Sequence, residues 1–362
     1  MSLPAALSMT ALLGGCDILT LDDLNQLSDI VSGSEAPDMP VIEWDEDNEA
    51  KSMNELLEYL SELEPKVAIS GTRELECEDM CRFCFWLSGF SVTEATGDEL
   101  RVYTMHYTDD ASLHEKRMAE VDREAEDILS LVPDGADEWQ TMLAVHDELI
   151  RRITYTEEAE GGAHVYDIYG ALVDHRAVCQ GYAYSFSYIM QKAGIACGEV
   201  YSDDHVWNIM PSLDSGERYI DVTWDDTDEK DRNGNDYILY DCFCLTGREM
   251  ESLGRHVPVD GNVDTRQSTG DNYFRCTGNY IGSYEADRIS GLMEDAIAGG
   301  SNTIQLRFES SSDYKDAAAS VREYLREAGY SDSYILWKSR LSDTLEIGLY
   351  PPEDYTPSDR QQ

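Results

Sequence analysis

AVCQGYAYSF, residues 177–186, places Cys179 at the head of a run whose apolar positions recur at helical spacing. Tyr182, Ala183, Phe186, Ile189, Met190 and Ala193 form one stripe, and Gly194 follows as a residue suited to the left-handed turn in which helices end. The pattern predicts a helix with the thiol in its first turn. Unpaired backbone N–H groups and the positive end of the helix dipole favour an anion there, so this setting stabilises a thiolate. A thiolate used as a nucleophile needs a base beside it and a group that orients the base.

Downstream, HVWNIM at 205–210 and IDVTWDD at 220–226 read as consecutive strand-like runs, with a turn at Asp214, Ser215 and Gly216 between them. Antiparallel pairing of the two would bring His205 and Asp221 to a shared face, where the acid can fix the tautomer of the imidazole. The expected layout is α+β, a nucleophile helix packed on an antiparallel sheet that carries base and acid. The backbone N–H of Cys179 would point at a developing oxyanion; for a second donor the Tyr169 hydroxyl and the Gln180 amide are candidates, each equally readable as a packing or capping residue.

In this order the three blocks resemble the transglutaminase-like superfamily, whose bacterial members carry a VCQGYA-type block at the nucleophile, an HAWN-type block at the base and a DVTWDD-type block at the acid. The likeness covers about residues 137–245, with Val206 where alanine is usual and Ala177 where glycine often precedes the valine. The resemblance implies a papain-like core, with Cys179 as nucleophile, His205 as general base and acid, and Asp221 as the orienting group. It also implies acyl transfer on peptide or carboxamide bonds without a cofactor or a metal. Because the likeness is to bacterial relatives rather than to the calcium-dependent animal cross-linkers, peptidase-like hydrolysis is expected first and transamidation second. The alternative is a catalytically inactive relative that serves as a cell-surface binding or scaffolding protein, since a fold alone does not carry an activity.

Around this core, at 136–260, the chain organises into further segments. Residues 1–16 are uncharged and end in ALLGGC, which reads as a lipoprotein-type signal with Cys16 as the lipidated residue, although a basic region before the apolar run is missing. An acidic stretch, 17–50, has the composition of a flexible linker. Residues 51–135 form an expected N-terminal α/β module, with a helix around MNELLEYLSEL, strands at VAIS, FWLSGFSVT and ELRVYTMHY, and a helix from His114 to Leu131. A second α/β module is expected at 270–352, and the whole is placed at the cell surface, anchored by lipid.

The 27 basic and 73 acidic residues give a net charge of -46, which repels nucleic acid and anionic membrane surfaces and leaves a lipid anchor as the route to a membrane. A protein or peptide substrate is expected. The acidic pairs Asp203–Asp204 and Asp225–Asp226 favour one that bears lysine or belongs to a cell wall, although solvated surface explains such pairs as well.

Three other signals carry less. Cys77, Cys81 and Cys84 have the spacing of an iron–sulfur motif but lack the long β/α barrel that should follow, so they read as core or disulfide cysteines. The loop with Asp231, Asn233 and Gly234 imitates a calcium loop, yet Tyr240 stands where a bidentate carboxylate is required, and a hairpin turn at Asn233–Gly234 fits better. His146 lies on the apolar stripe of a helix expected from Glu138 to Ile153 and reads as a core histidine.

Overall fold

A computed structural model describes residues 39–45, 49–71, 75, 84–95, 100–157, 160, 162–211, 216–230, 234, 236–254, 256, 272–330 and 334–349. Cys16 and the signal segment, most of the acidic linker, Cys77, Cys81, Asp231 and Asn233 lie outside the described residues. The chain is a mixed α/β protein built on several small sheets. It divides into two units, one ending at Glu124 and including Asp167–Tyr169, the other formed by Ala125–Tyr166 and the chain from Gly170 onward.

The first unit contains β1 (Val41–Glu43), α1 (Glu49–Ser61), β2 (Lys66–Ser70), β3 (Leu87–Ala95) and β4 (Leu100–Tyr107). Its sheet has the order β1-β2-β4-β3, with β1 parallel to β2 and the other pairs antiparallel. Leu56 and Leu60, one helical turn apart on α1, are fully buried together with Ile42, Val67 and Tyr103 from the sheet. The Trp86 indole N–H donates to the Leu60 carbonyl at 2.9 Å, which satisfies the polar end of a side chain that is otherwise core. The next helix, α2 (Ala111–Ser130), starts three residues before the expected His114 because the Asp110 carboxylate accepts the Leu113 N–H at 2.9 Å and so caps it.

The second unit begins at Ala125, within α2, and continues with α3 (Glu138–Arg152), where Asp137 and Gln140 form a reciprocal capping box. The two-residue strand β5 (Thr154–Tyr155) then pairs in parallel with β6 (Arg176–Ala177); between them lie a 3-10 turn at Ala163–Tyr166 and α4 (Ile168–Leu172). Gly170 permits this path, since a Cβ there would stand 1.8 Å from the His164 carbonyl oxygen.

From β6 the chain turns into α5 (Cys179–Lys192), whose N-cap Val178 is extended, and α5 stops before Gly194 with φ +76°. Facing it is the antiparallel sheet β7 (Gly198–Tyr201), β8 (Val206–Met210) and β9 (Arg218–Ile220), in that order. Asn208 at the centre of β8 fastens sheet to helix: its amide donates to the Ala183 carbonyl at 2.9 Å and the Ser187 hydroxyl at 3.0 Å, and the residue is 1% exposed.

The expected strand through IDVTWDD ends at Ile220. Asp221 is instead the N-cap of the short helix α6 (Val222–Asp225), because its side chain takes the Trp224 N–H at 3.1 Å. Strand resumes as β10 (Asp226–Lys230), which pairs with β11 (Asp236–Ile238). YILYDCFCL likewise forms a strand only at its start: Cys244 has φ +58°, and Leu245 rejoins the sheet through an isolated bridge to Tyr219.

After α7 (Gly247–Ser252) and α8 (Tyr273–Cys276), the chain builds a last sheet from β12 (Tyr280–Ile281), β13 (Thr303–Phe308), β14 (Tyr334–Lys338) and β15 (Thr344–Leu349), ordered β12-β13-β15-β14. Helices α9 (Ala286–Ala298) and α10 (Ser311–Glu327) cover it, and Ile289, Met293, Val321 and Leu325 pack on Leu306, Leu345 and Ile347. This layer is joined to the rest of the unit by polar contacts. The buried Asp241 carboxylate accepts from Arg307 at 3.1 Å, Thr344 at 2.6 Å, Ser342 at 2.7 Å and Ser339, while Gln305 donates to the Ile238 carbonyl at 2.7 Å.

Candidate active site

Cys179 is the first residue of α5 and is partly exposed. His205 immediately precedes β8 and Asp221 immediately follows β9; because Asn208 pairs with Ile220, the antiparallel register sets these two strand ends side by side. His205 Nε2 donates to Asp221 Oδ2 at 2.6 Å. Cys179 also acts on His205, as a hydrogen-bonding side chain and as a charge, and both effects raise the imidazole. The imidazole thus stands between thiol and carboxylate.

The electrostatics follow from this placement. Burial alone would discharge His205, but the Asp221 charge and hydrogen bond, followed by the contact with Cys179, outweigh it and push the imidazole up to about 10. Asp221 has the reverse balance. Burial would raise it, yet His205 and then His256 hold it down at about 2. At neutral pH an imidazolium beside a carboxylate is therefore the favoured state.

His256 was not legible as part of this site. It sits in a stretch that reads as polar turn, 35 residues beyond Asp221, yet its Nε2 lies 2.6 Å from the same Asp221 Oδ2. Its side chain is 0% exposed, with ring centroids 5.0 Å from Trp207, 5.1 Å from Trp224 and 5.7 Å from His205. Nothing in the local pattern marks it. Tyr155 was missed as well: its exposed phenol is raised first by burial of its inner part and next by the charge of Cys179. The pairing of β5 with β6 places it opposite Ala177, two residues before the nucleophile candidate.

Of the oxyanion candidates, Gln180 is the second residue of α5 and half-buried. Tyr169 belongs to the first unit, where its hydroxyl donates to Glu120 at 3.0 Å and the Arg117 guanidinium lies 5.1 Å from its ring centre. The two acidic pairs near the site differ in setting. Asp203 and Asp204 are exposed, whereas Asp225 is 0% exposed and Asp226 accepts the Tyr182 hydroxyl at 2.6 Å.

Among the described residues, His205, Asp221 and His256 form the group able to offer ligand atoms to a metal, all within 4.8 Å of one another. Two of the N···O separations are 2.6 Å, whereas neighbouring ligands on a tetrahedral zinc stand about 3.4 Å apart for bonds of about 2.0–2.1 Å. The distances are those of hydrogen bonds that share one acceptor oxygen.

His146 occupies a separate buried cluster. Its Nδ1 meets Asp147 at 3.0 Å and its Nε2 meets Asp225 at 3.3 Å, and Asp225 also accepts the Cys242 N–H at 3.0 Å. The side chain is 0% exposed, so this histidine is a satisfied core residue. Of the other thiols, Cys84 and Cys242 are free and buried, and burial pushes both well up and keeps them neutral.

No protein-family model matches the chain, and no curated protein matches it. Among solved structures it is similar to a TGase, with TM-score 0.27 and 13% identity over 51% of this chain and 59% of that one. It is also similar to menin, described with its binding site for the Mixed Lineage Leukemia protein, with TM-score 0.26 and 14% identity over 62% and 48% of the two chains. A third likeness is to a proposed protease from Parabacteroides distasonis, with TM-score 0.21 and 10% identity over 44% and 42%. The chain thus spans about three-fifths of the TGase chain and less than half of the other two. At these TM-scores the likenesses carry neither fold nor activity across.

Proposed function

We propose that this protein is a thiol-dependent acyltransferase acting on peptide or carboxamide bonds, with a papain-like core, in which Cys179 is the nucleophile, His205 the general base and acid, and Asp221 the orienting group. One observation carries the reading: His205 is held between the Cys179 side chain and the Asp221 carboxylate, with the sulfur at a helix start. The thiolate attacks the carbonyl carbon, and the tetrahedral oxyanion is met by the Cys179 N–H, with the Gln180 amide as a candidate second donor. As the C–N bond breaks, the His205 imidazolium passes its proton to the leaving amine and a thioester remains. His205, now neutral, takes a proton from water, whose oxygen attacks the thioester; the acid leaves and the thiolate returns. An amine in place of water would give transamidation, which we place second. A lysine-bearing substrate matches the exposed Asp203 and Asp204, and attachment to a cell surface through Cys16 belongs to the same reading.

Alkylation tests it. Iodoacetamide at pH 6 should modify Cys179 far faster than the exposed Cys276, and His205→Ala should remove that preference. Equal, slow labelling of both cysteines in the unaltered protein would sink the proposal. With reactivity established, a fluorescent primary amine offered with a glutamine-rich protein separates the outcomes, incorporation marking transfer and fragments marking hydrolysis.

A further inference from the structure

Asp221 receives more hydrogen bonds than an orienting carboxylate needs. Oδ1 takes the Trp224 N–H at 3.1 Å, and Oδ2 takes both His205 Nε2 and His256 Nε2 at 2.6 Å. A carboxylate oxygen has two lone pairs in its plane, so the two histidines fill Oδ2 and leave no position from which a water could compete with His205. The far nitrogen of His256, Nδ1, is buried and has no hydrogen-bond partner among the described residues. A proton placed there would be a buried donor without an acceptor, which is disfavoured, whereas a bare lone pair in an aromatic setting costs less. Nε2 therefore carries a proton, aimed at Asp221. Trp207 and Trp224 hold the ring edge-on at 5.0 and 5.1 Å.

We propose that His256 is a positioning residue for the Cys179–His205–Asp221 site: a fixed N–H donor that locks the Asp221 carboxylate in place and draws off part of the negative charge it presents to His205. This rests on the function proposed above. The consequence is a base tuned downward. With Asp221 facing His205 alone, the imidazolium would be held more tightly and would release its proton to a leaving amine less readily.

The other titratable groups around the carboxylate do not supply this effect. Cys179 acts on His205 from α5; Cys242 is buried and neutral; Asp225, at the end of α6, is engaged by His146; Asp203 and Asp204, ahead of His205, are exposed to solvent.

Nitrogen-15 NMR of the histidine-labelled full chain tests the proposal. In His256→Phe, which keeps a flat apolar ring among the tryptophans, the His205 midpoint should move up by roughly one pH unit, the effect of strengthening one close charge contact. His256→Gln, whose amide nitrogen reaches the position of Nε2, should return it to within a few tenths of a unit. An unmoved midpoint in a folded His256→Phe protein overturns the proposal, because a packing role would leave the titration alone. Should that variant not fold, the unaltered protein decides: at neutral pH His256 must carry a proton on Nε2 that is hydrogen-bonded to Asp221, and a bare Nε2 overturns the assignment. Failure of the function itself looks different. If Cys179→Ala leaves the His205 titration untouched, thiol and imidazole are not coupled and the triad falls, while the shift caused by His256→Phe is still measurable.

Discussion

Two buried histidine–carboxylate clusters lie at opposite ends of the same short helix, and they do different things. Asp221 caps the start of α6 and Asp225 ends it; the first meets His205 at 2.6 Å, the second His146 at 3.3 Å. The residue types are the same, so type alone does not assign a role. The difference lies in the second partner of the imidazole, which is the Cys179 thiol in one cluster and the Asp147 carboxylate in the other. Exposure follows the same division, 12% for the His205 side chain against 0% for His146. A histidine clamped between two carboxylates and sealed from water has nowhere to send a proton. One with a thiol on its far side does.

The carboxylates diverge for related reasons. Asp221 collects three N–H donors and is held down at about 2, while Asp225 is pushed up to about 6, first by burial and further by the neighbouring charge of Asp241. His146 is carried up to about 9 because its two carboxylates outweigh the burial that would discharge it.

The largest effect that can break this comparison is on Cys179 itself. His205 is the proposed base beside this thiol, so His205→Ala should slow alkylation of Cys179 at pH 6 by on the order of 10²-fold, the lower end of what a positioned acid–base group contributes. His146→Ala should leave the rate unchanged. If it slows the reaction as much, the two clusters are not functionally distinct. Stability should respond in the opposite sense: His146→Ala takes the imidazole from the fully buried Asp225 and should cost about 3–5 kcal/mol in urea unfolding, well above the loss from His205→Ala.

The pH dependence of stability sharpens the contrast, because the two aspartates carry opposite signs. Asp221, depressed in the folded state, stabilises the fold above the ordinary carboxylate value of 3.8, and that contribution is lost as pH falls toward about 2. Asp225, raised in the folded state, contributes below 3.8 and loses that contribution as pH rises through about 6. His205, also raised, contributes fully below 6.5 and loses its share as pH climbs through about 10. Unfolding free energies measured from pH 3 to 10 should therefore show a decline between about pH 4 and 6 that Asp225→Asn removes, and an alkaline decline shared by His146, whose contribution is lost through about 9, and His205, so that His205→Ala removes only the later part, toward about 10. An alkaline decline that is unchanged in His205→Ala and disappears whole in His146→Leu would reverse the assignment.

The smallest effect concerns the support of the site. Asn208→Ala deletes the amide that joins β8 to α5 and leaves the Ala183 carbonyl and Ser187 hydroxyl without it, for a loss of about 1–3 kcal/mol. Since the strand that follows His205 is then held less firmly to the Cys179 helix, alkylation should slow by a factor of a few while its pH profile keeps its shape.

Much of the candidate site is legible along the chain. The helix at Cys179, the antiparallel pairing that sets His205 beside Asp221, and the core position of His146 follow from period, turn residues and apolar stripes, all of which are local signals. Where the reading went astray, a side chain competed with the backbone pattern. IDVTWDD alternates like a strand, but Asp221 turns its carboxylate onto the Trp224 N–H and starts a helix instead. YILYDCFCL does the same around Asp241, whose carboxylate gathers Arg307, Ser342 and Thr344 from segments 66 to 103 residues away.

Sequence by itself determined the parts of the site that lie on one helix or on neighbouring strands: a thiol at a helix start, an imidazole at one strand end and a carboxylate at the next. Tertiary structure alone decided which histidine stands beside the thiol with a second histidine behind its carboxylate, and which is sealed between two acids. Periodicity reports that a side chain is buried, but not what it is buried against. His256 and Asp225 acquire their partners only when segments 35 and 79 residues apart in the chain close around them.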